Sequence, residues 1–265
     1  MKAQINGIAM HYDVAGDTAN PAVVLHHPLA TNLSFWDELT AALVPTHRVI
    51  RFDARGHGQT DAPVGTYDFD TLAKDAVALL DHVGVRRAAF VGLSMGGMVG
   101  QFLGLHHASR FSCLALVSTS SRIPEEVRHM WGDRVAVARA QGMGSQVEPC
   151  MQRWVAAKAR ETRPDLVARF AAMIETTPLE GYAGWCGAIR TLDNTAKLNA
   201  ITLPTLVVVG EEDPATPVAA SQAIHTNIPS SKLVIMPGVS HMLSSENPAG
   251  FHAHILPFLA AHRTV

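Results

Sequence analysis

Cysteine is scarce in this chain. Only Cys113, Cys150 and Cys186 occur in 265 residues, an odd number with no C-x-x-C pair. A disulfide framework or a thiolate zinc site needs paired or closely spaced cysteines, so these three are expected to be reduced, packed thiols of a cytoplasmic protein. Long apolar runs are also missing. No stretch of 18 apolar residues exists to cross a bilayer, and the opening MKAQINGIAMHYDV has no apolar signal core, so no membrane partner is expected. Neither sign of charge dominates: 21 Lys and Arg face 23 Asp and Glu, a net charge of -2 that gives no basic footprint for nucleic acid. The sequence holds no H-E-x-x-H, no Walker A loop and no G-x-G-x-x-G, so no metal and no nucleotide or other cofactor is expected.

What remains is a chain with 48% hydrophobic and 17% charged residues, enough apolar material for one large α/β domain over 1–265. Short β-branched runs, each bounded by turn formers, predict strands at 21–27, 47–53, 87–93, 111–119, 205–210 and 232–238, buried on both faces of a parallel sheet. Residues 4–14 predict a hairpin about Asn6-Gly7 at one sheet edge. Leu72, Ala76, Leu79, Leu80 and Val83 mark a helix that stops at Gly84, and a closing helix over 247–262 is expected to break or kink near Pro257. Strands alternating with helices mean a doubly wound, mostly parallel sheet. The alternation fails over 122–190, a helix-rich stretch with Trp131, Trp154 and Trp185, three of the four tryptophans. It predicts a helical cap inserted into the sheet.

In an open parallel sheet, ligands bind beyond the carboxyl ends of the strands. After the 87–93 strand, Gly92-Leu93-Ser94-Met95-Gly96 matches G-x-S-x-G in a strand–turn–helix setting. The glycines alone admit a bland reading, in which a strand and a helix pack closely around a small filler. The later strand ends argue otherwise: Glu211, Glu212 and Asp213 follow the 205–210 strand, and His241 follows 232–238. A serine hydroxyl needs a base to become a nucleophile, a histidine is that base near neutral pH, and a carboxylate fixes its tautomer. Ser94, an acid from the Glu211–Asp213 group, and His241 come in the chain order expected of an α/β-hydrolase fold. An oxyanion hole needs two backbone N–H groups. Met95, opening the helix after the elbow, supplies one. Pro28 has no N–H, which leaves Leu29 for the other, with His27 next. Asp53, Arg55 and His57 are read as a structural loop whose polar groups tie down backbone. His106, His107, His252, His254 and His262 sit on helices away from strand ends and are set aside.

RFDARGHGQTDAP, LLDHVGV, FVGLSMGGMVGQFLG, GYAGWCGAIRTLD and GEEDPATP together resemble the 3-oxoadipate enol-lactonases of the α/β-hydrolase superfamily, over almost the whole chain. The resemblance implies Ser94, Asp213 and His241 as nucleophile, acid and base, with Asp213 preferred over Glu211 and Glu212 by its offset from Gly210. It implies a cofactor-free serine hydrolase whose partner is a small-molecule lactone or ester. A general carboxylesterase or cofactor-free perhydrolase, and a non-catalytic ligand receptor of the same fold, are the alternatives. A substrate ring with a carboxylate arm would need a cationic or N–H-rich patch, for which Arg134, Arg190 and His27 are candidates. Trp131, Trp154 and Trp185 are candidate lining residues, with packing of the cap as the competing role of each. One departure stands out. Where the family reads Asn-Ser-Leu-Gly, this chain has His27-Pro28-Leu29-Ala30, which changes the shape and polarity of the pocket floor.

Overall fold

The computed structural model describes residues 1–263. Among the described residues one sheet holds β1 (Lys2–Ile5), β2 (Ile8–Ala15), β3 (Ala22–His26), β4 (Arg48–Phe52), β5 (Ala88–Leu93), β6 (Phe111–Val117), β7 (Thr205–Gly210) and β8 (Ser231–Met236). The spatial order is β1-β2-β4-β3-β5-β6-β7-β8, with β3 to β8 parallel and β2 antiparallel to both β1 and β4. Each predicted strand occurs, with ends shifted by about two residues at most, the usual uncertainty of strand and helix ends. Asn6 and Gly7 take φ of 48° and 80°, the two positive values a two-residue hairpin turn requires, and Ile5 pairs with Ile8 across it.

β3, β5, β6 and β7 are buried at every residue, as continuous apolar runs between two helical layers should be. β8 departs from the expectation of burial on both faces. It is the last strand of the sheet and only partly covered, with Ile235 exposed. The helices outside the inserted segment are α1 (Asp37–Leu43), α2 (Phe69–His82) and α3 (Met95–His106) before it. α2 turns Leu72, Ala76, Leu79 and Leu80 into the core, and the Asp68 carboxylate accepts from Thr71 N at 2.8 Å to cap its first turn. α3 lies against β5 and β6, and α2 packs on α3.

Between β6 and β7 run five helices: α4 (His129–Gln141), α5 (Val147–Trp154), α6 (Ala157–Thr162), α7 (Pro164–Glu175) and α8 (Leu179–Ile189). An isolated bridge between Arg122 and Asp193, with Ile123 N donating to Leu192 O at 3.0 Å, ties the two ends of this segment together. Phe170, Ile174, Tyr182 and Trp185 are buried within it. The chain closes with α9 (Val218–Asn227), the short α10 (Leu243–Glu246) and α11 (Pro248–Ala261). α11 runs unbroken through Pro257, so the expected break does not occur. The proline costs one intrahelical bond, and packing of Phe251, Ile255 and Leu259 into the core holds the helix together. Among the described residues no helix is long and apolar enough to cross a membrane.

Candidate active site

Ser94 joins β5 to α3 at φ 55° and ψ -113°, a region that side-chain-bearing residues avoid. Its backbone is held from three directions: Ser94 N donates to Val117 O at 2.8 Å, while Ser94 O accepts from Thr119 Oγ1 at 2.8 Å and Met98 N at 3.0 Å. The flanking glycines answer to close approach. A Cβ on Gly92 would sit 2.3 Å from the Gly96 carbonyl, and one on Gly96 would sit 2.4 Å from His26 O. Both the bland packing reading and the strained-turn reading are therefore true of the glycines. Ser94 itself is no filler, because it is the one half-buried residue in a run from Ala88 to Gly100 that is otherwise buried.

Asp213 and His241 are brought together from the ends of β7 and β8. Asp213 Oδ2 lies 2.8 Å from His241 Nδ1. The other carboxylate oxygen accepts from Ala215 N at 2.8 Å and Thr216 N at 2.9 Å, and Thr216 Oγ1 donates to Oδ2 at 2.7 Å. Burial pushes the Asp213 carboxyl up, but His241 and these donors outweigh it and hold its pKa below the ordinary carboxylate value. Glu211 and Glu212 are exposed, and Glu211 instead accepts from Gly238 N at 3.3 Å. Sequence reasoning missed Thr216, although an aspartate followed three residues later by threonine is a turn signature that could have flagged it. It also missed Glu246. This half-buried carboxylate accepts from Ser240 N at 3.1 Å and from Ala156 N at 2.9 Å, pinning the His241 loop to the junction of α5 and α6. Burial raises its pKa.

The loop after β3 is locked to the loop after β4 by two histidines. His57 Nε2 accepts from Ala30 N at 3.0 Å, and His27 Nε2 accepts from Ala54 N at 3.0 Å. Each ring therefore carries its proton on Nδ1, which donates to Arg55 O at 3.3 Å and to Pro28 O at 2.8 Å respectively. Burial holds both rings well toward the neutral form, and it pushes His26 down to about 3 with help from His27. Asp53 accepts from Leu33 N and Gln59 N, both at 2.8 Å, and Arg55 grips Asp75 at 2.8 and 2.7 Å. The 53–58 loop is thus the backbone tie the sequence predicted. Inside this lock Ala30 adopts φ 54°, and the N–H groups of Leu29 and Met95 donate to no acceptor among the described residues.

A cavity of about 1130 Å³ lies beyond the carboxyl edge of the sheet and is lined by Leu29, Ser94 and His241 on one side and by Trp131, Arg134 and Trp154 on the other. Arg134 stacks on Trp131, its guanidinium 4.5 Å from the ring centroid. Burial, then the like charge of Arg153, lowers its pKa from the ordinary arginine value. Arg153, not singled out from the sequence, lines the same cavity, and neither arginine has a carboxylate partner among the described residues. Three other candidates fall outside the cavity. Trp185 is fully buried, its Nε1 donating to Arg55 O at 2.7 Å, and packs α8 onto the 53–58 loop. Arg190 is exposed at the end of α8 and faces a separate shallow groove. His27 lies behind the loop, spent on holding it. Cys113, Cys150 and Cys186 are free and buried.

This sheet, elbow and strand-end pair define a class. The family model of the α/β hydrolase fold matches residues 21–248, and the chain belongs to that family. Within it, the chain is 34% identical over 92% of its length to 3-oxoadipate enol-lactonase 2 of Acinetobacter baylyi, covering 91% of that protein. The crystal structure of the enol-lactonase from Burkholderia xenovorans LB400 superposes with a TM-score of 0.94 at 35% identity, covering 98% of this chain and all of that one. An N-acyl homoserine lactone degrading enzyme aligns at 30% identity with a TM-score of 0.85, over 97% of this chain and 100% of its own. The resemblance to the 3-oxoadipate enol-lactonases is borne out.

Proposed function

We propose that this carboxylic-ester hydrolase opens a small lactone of the 3-oxoadipate enol-lactone type through Ser94, His241 and Asp213 and a covalent acyl-enzyme. The observation that carries the reading is the 2.8 Å contact of Asp213 with His241, which lines the same cavity as Ser94 on its strained turn. Ser94 Oγ adds to the ring carbonyl while His241 Nε2 takes its proton, and Asp213 balances the imidazolium. The negative carbonyl oxygen is received by the N–H groups of Leu29 and Met95. Collapse expels the ring oxygen, which takes the proton back from His241. In a lactone the leaving group stays tethered to the acyl group, and an enol product tautomerises to the ketone. Water then gives its proton to His241 and adds to the acyl carbon, and Ser94 leaves with that proton as the carboxylate forms.

Arg134 and Arg153 support a substrate with a carboxylate arm, since an unpartnered guanidinium in a cavity wall offers a bidentate match to it. The enol-lactonase relatives support the ring. The test is kcat/KM on 3-oxoadipate enol-lactone, on γ- and δ-lactones and on p-nitrophenyl acetate, with wild type and Ser94→Ala. Turnover should be highest on the enol-lactone and depend on Ser94. Faster turnover of the simple ester than of every lactone would make the protein a general carboxylesterase on the same residues.

A further inference from the structure

The cavity is larger than a small ring needs. Pockets that hold drug-sized ligands run to roughly 300–1,000 Å³, and this one reaches about 1130 Å³. Its exposed lining is mostly apolar, with the Arg122–Asp193 pair as the charged exception. Of the six large hydrophobic residues exposed among the described residues, two, Val127 at 39% and Met130 at 42%, sit on its wall. The same cavity is also lined by exposed Pro217, which caps α9, by exposed Ala219 and by half-buried Ala220 and Ala223 along that helix, which begins just after the Asp213 turn. From Pro217 to Ala223 the helix advances about 9 Å away from that turn. Met130 and Arg134 are one turn apart on one face of α4, so that face changes from apolar at the rim to cationic further along. Water-facing apolar side chains in the lining of a concavity that also holds a nucleophile are a binding surface awaiting apolar substrate.

We infer that the apolar lining formed by Val127, Met130, Ala219, Ala220 and Ala223 is a subsite for an apolar acyl or alkyl arm of the substrate, of about six carbons from the 9 Å run of α9. The inference rests on the lactone-opening reading above and extends it: besides a small carboxylated ring, the cavity takes rings or esters that carry a medium-length hydrocarbon arm. Neither the elbow motif nor the strand-end residues imply such an arm. The alanines of α9 keep the subsite open, because any larger side chain at Ala220 or Ala223 would fill it.

The experiment measures kcat/KM on two neutral series, γ-butyrolactone to γ-decalactone and p-nitrophenyl acetate to p-nitrophenyl octanoate, for wild type, Ala220→Phe and Gln222→Phe. Gln222 is exposed on the same helix and is not part of the cavity wall. Wild type should gain about fourfold in kcat/KM for each of the first methylenes buried, the fold-change that corresponds to about 0.8 kcal/mol per CH₂. Ala220→Phe should flatten the profile, with the octanoate-to-acetate ratio falling at least tenfold, while Gln222→Phe keeps the wild-type ratio. A wild-type profile that is flat or falls with chain length, with turnover still dependent on Ser94, would overturn this inference and leave the lactone reading standing. The same holds if the two phenylalanine variants behave alike. No turnover of any lactone or ester by wild type would remove both.

Discussion

On the sheet side of the cavity, Asp213 accepts three hydrogen bonds besides its contact with His241, and His57 and His27 each hold a backbone N–H of the opposite loop. On the cap side, Arg134 and Arg153 have no carboxylate partner among the described residues, and Val127 and Met130 face water. On the proposed reading, the first arrangement fixes reacting groups before substrate arrives, which is what chemistry sensitive to sub-ångström placement requires. On the same reading, the second leaves groups whose partners come with the substrate, which is how binding energy is kept for recognition. Strain follows the same division. Ala30, Ser94 and Ser118, three of the four non-glycine residues with positive φ among the described residues, follow β3, β5 and β6 at the sheet edge, and the fourth, Asn6, is the hairpin turn.

If the sheet side carries the chemistry, the largest effect belongs to Ser94→Ala, which should lower kcat by roughly 10⁵- to 10⁶-fold with the fold intact. The Ser94→Ala/His241→Ala pair should be little worse than either alone, as checked by stopped or long-time assays and circular dichroism. Retention of a tenth of the activity would end the contrast between the two sides. Asp213→Asn comes next, with a loss of about 10⁴-fold because it offers His241 the wrong tautomer partner. Glu211→Gln and Glu212→Gln should change kcat little, and the reverse ranking would move the acid without removing the serine.

The histidine lock should matter through geometry alone. His57→Phe leaves Ala30 N–H without an acceptor, so kcat should fall by about 10²-fold at nearly unchanged KM, the order seen when an oxyanion donor is misplaced. His57→Gln, which can accept again, should recover part of the loss. A rise in KM with kcat preserved would assign His57 to binding instead. On the cap side, Arg134→Met should raise KM by about 10-fold on a carboxylated lactone, from 1.5–3 kcal/mol for a charged hydrogen bond. Its neutral methyl ester should show no such change, and equal effects on both would count against an anionic arm.

The smallest and most general effect is on stability. Burial holds His26, His27 and His57 below the ordinary histidine value, so the unfolded chain binds more protons than the folded one between those folded values and about 6.5. Stability is therefore complete above that window and falls as pH drops through it, by up to about 1.4 kcal/mol per pH unit for each histidine. Glu246, whose pKa is raised by burial, opposes this in the same range because its folded form holds its proton more tightly. His47, His107 and His252, also lowered by burial, act with the three rings, and Asp75, raised by burial, acts with Glu246, so six histidines against two carboxylates predict a net loss. Urea midpoints at pH 7.5 and 5.5 should show lower stability at the lower pH, and no difference would mean the three rings are not held neutral.

Periodicity and turn chemistry were enough to read the strands, the hairpin and α2, because continuous β-branched runs and an Asn-Gly pair have few alternative structures. The elbow was legible for a similar local reason: strand, glycine, serine and glycine sit in one short stretch of backbone. The failures lie where neighbours from elsewhere in the chain decide. β8 reads as a buried strand, yet its place at the sheet edge leaves it half covered. Trp185 and Trp154 look alike in sequence, but one is locked against Arg55 O and the other faces the cavity. Arg190 ends a helix facing solvent, while Arg153, with no motif around it, turns inward.

By itself the sequence determined the order of strands and helices, the serine on its turn, and the set of acids and the histidine that follow the last two parallel strands. These are local or ordinal facts, and the right-handed, carboxyl-edge logic of a parallel sheet carries them to one side of the molecule. The residues alone left three acids open and the resemblance preferred Asp213; the tertiary structure shows that Asp213, one and two residues beyond Glu212 and Glu211 in the same turn, is the one that meets His241. It alone turned His27 from a candidate for the pocket into a brace for a loop, and it alone showed which backbone N–H the structural His57 holds, because a nitrogen that accepts a buried N–H is known only when both loops are in place. And it alone opened the apolar lining beside α9, which exists because the segment from β6 to β7 folds back over the sheet and leaves that much space unfilled.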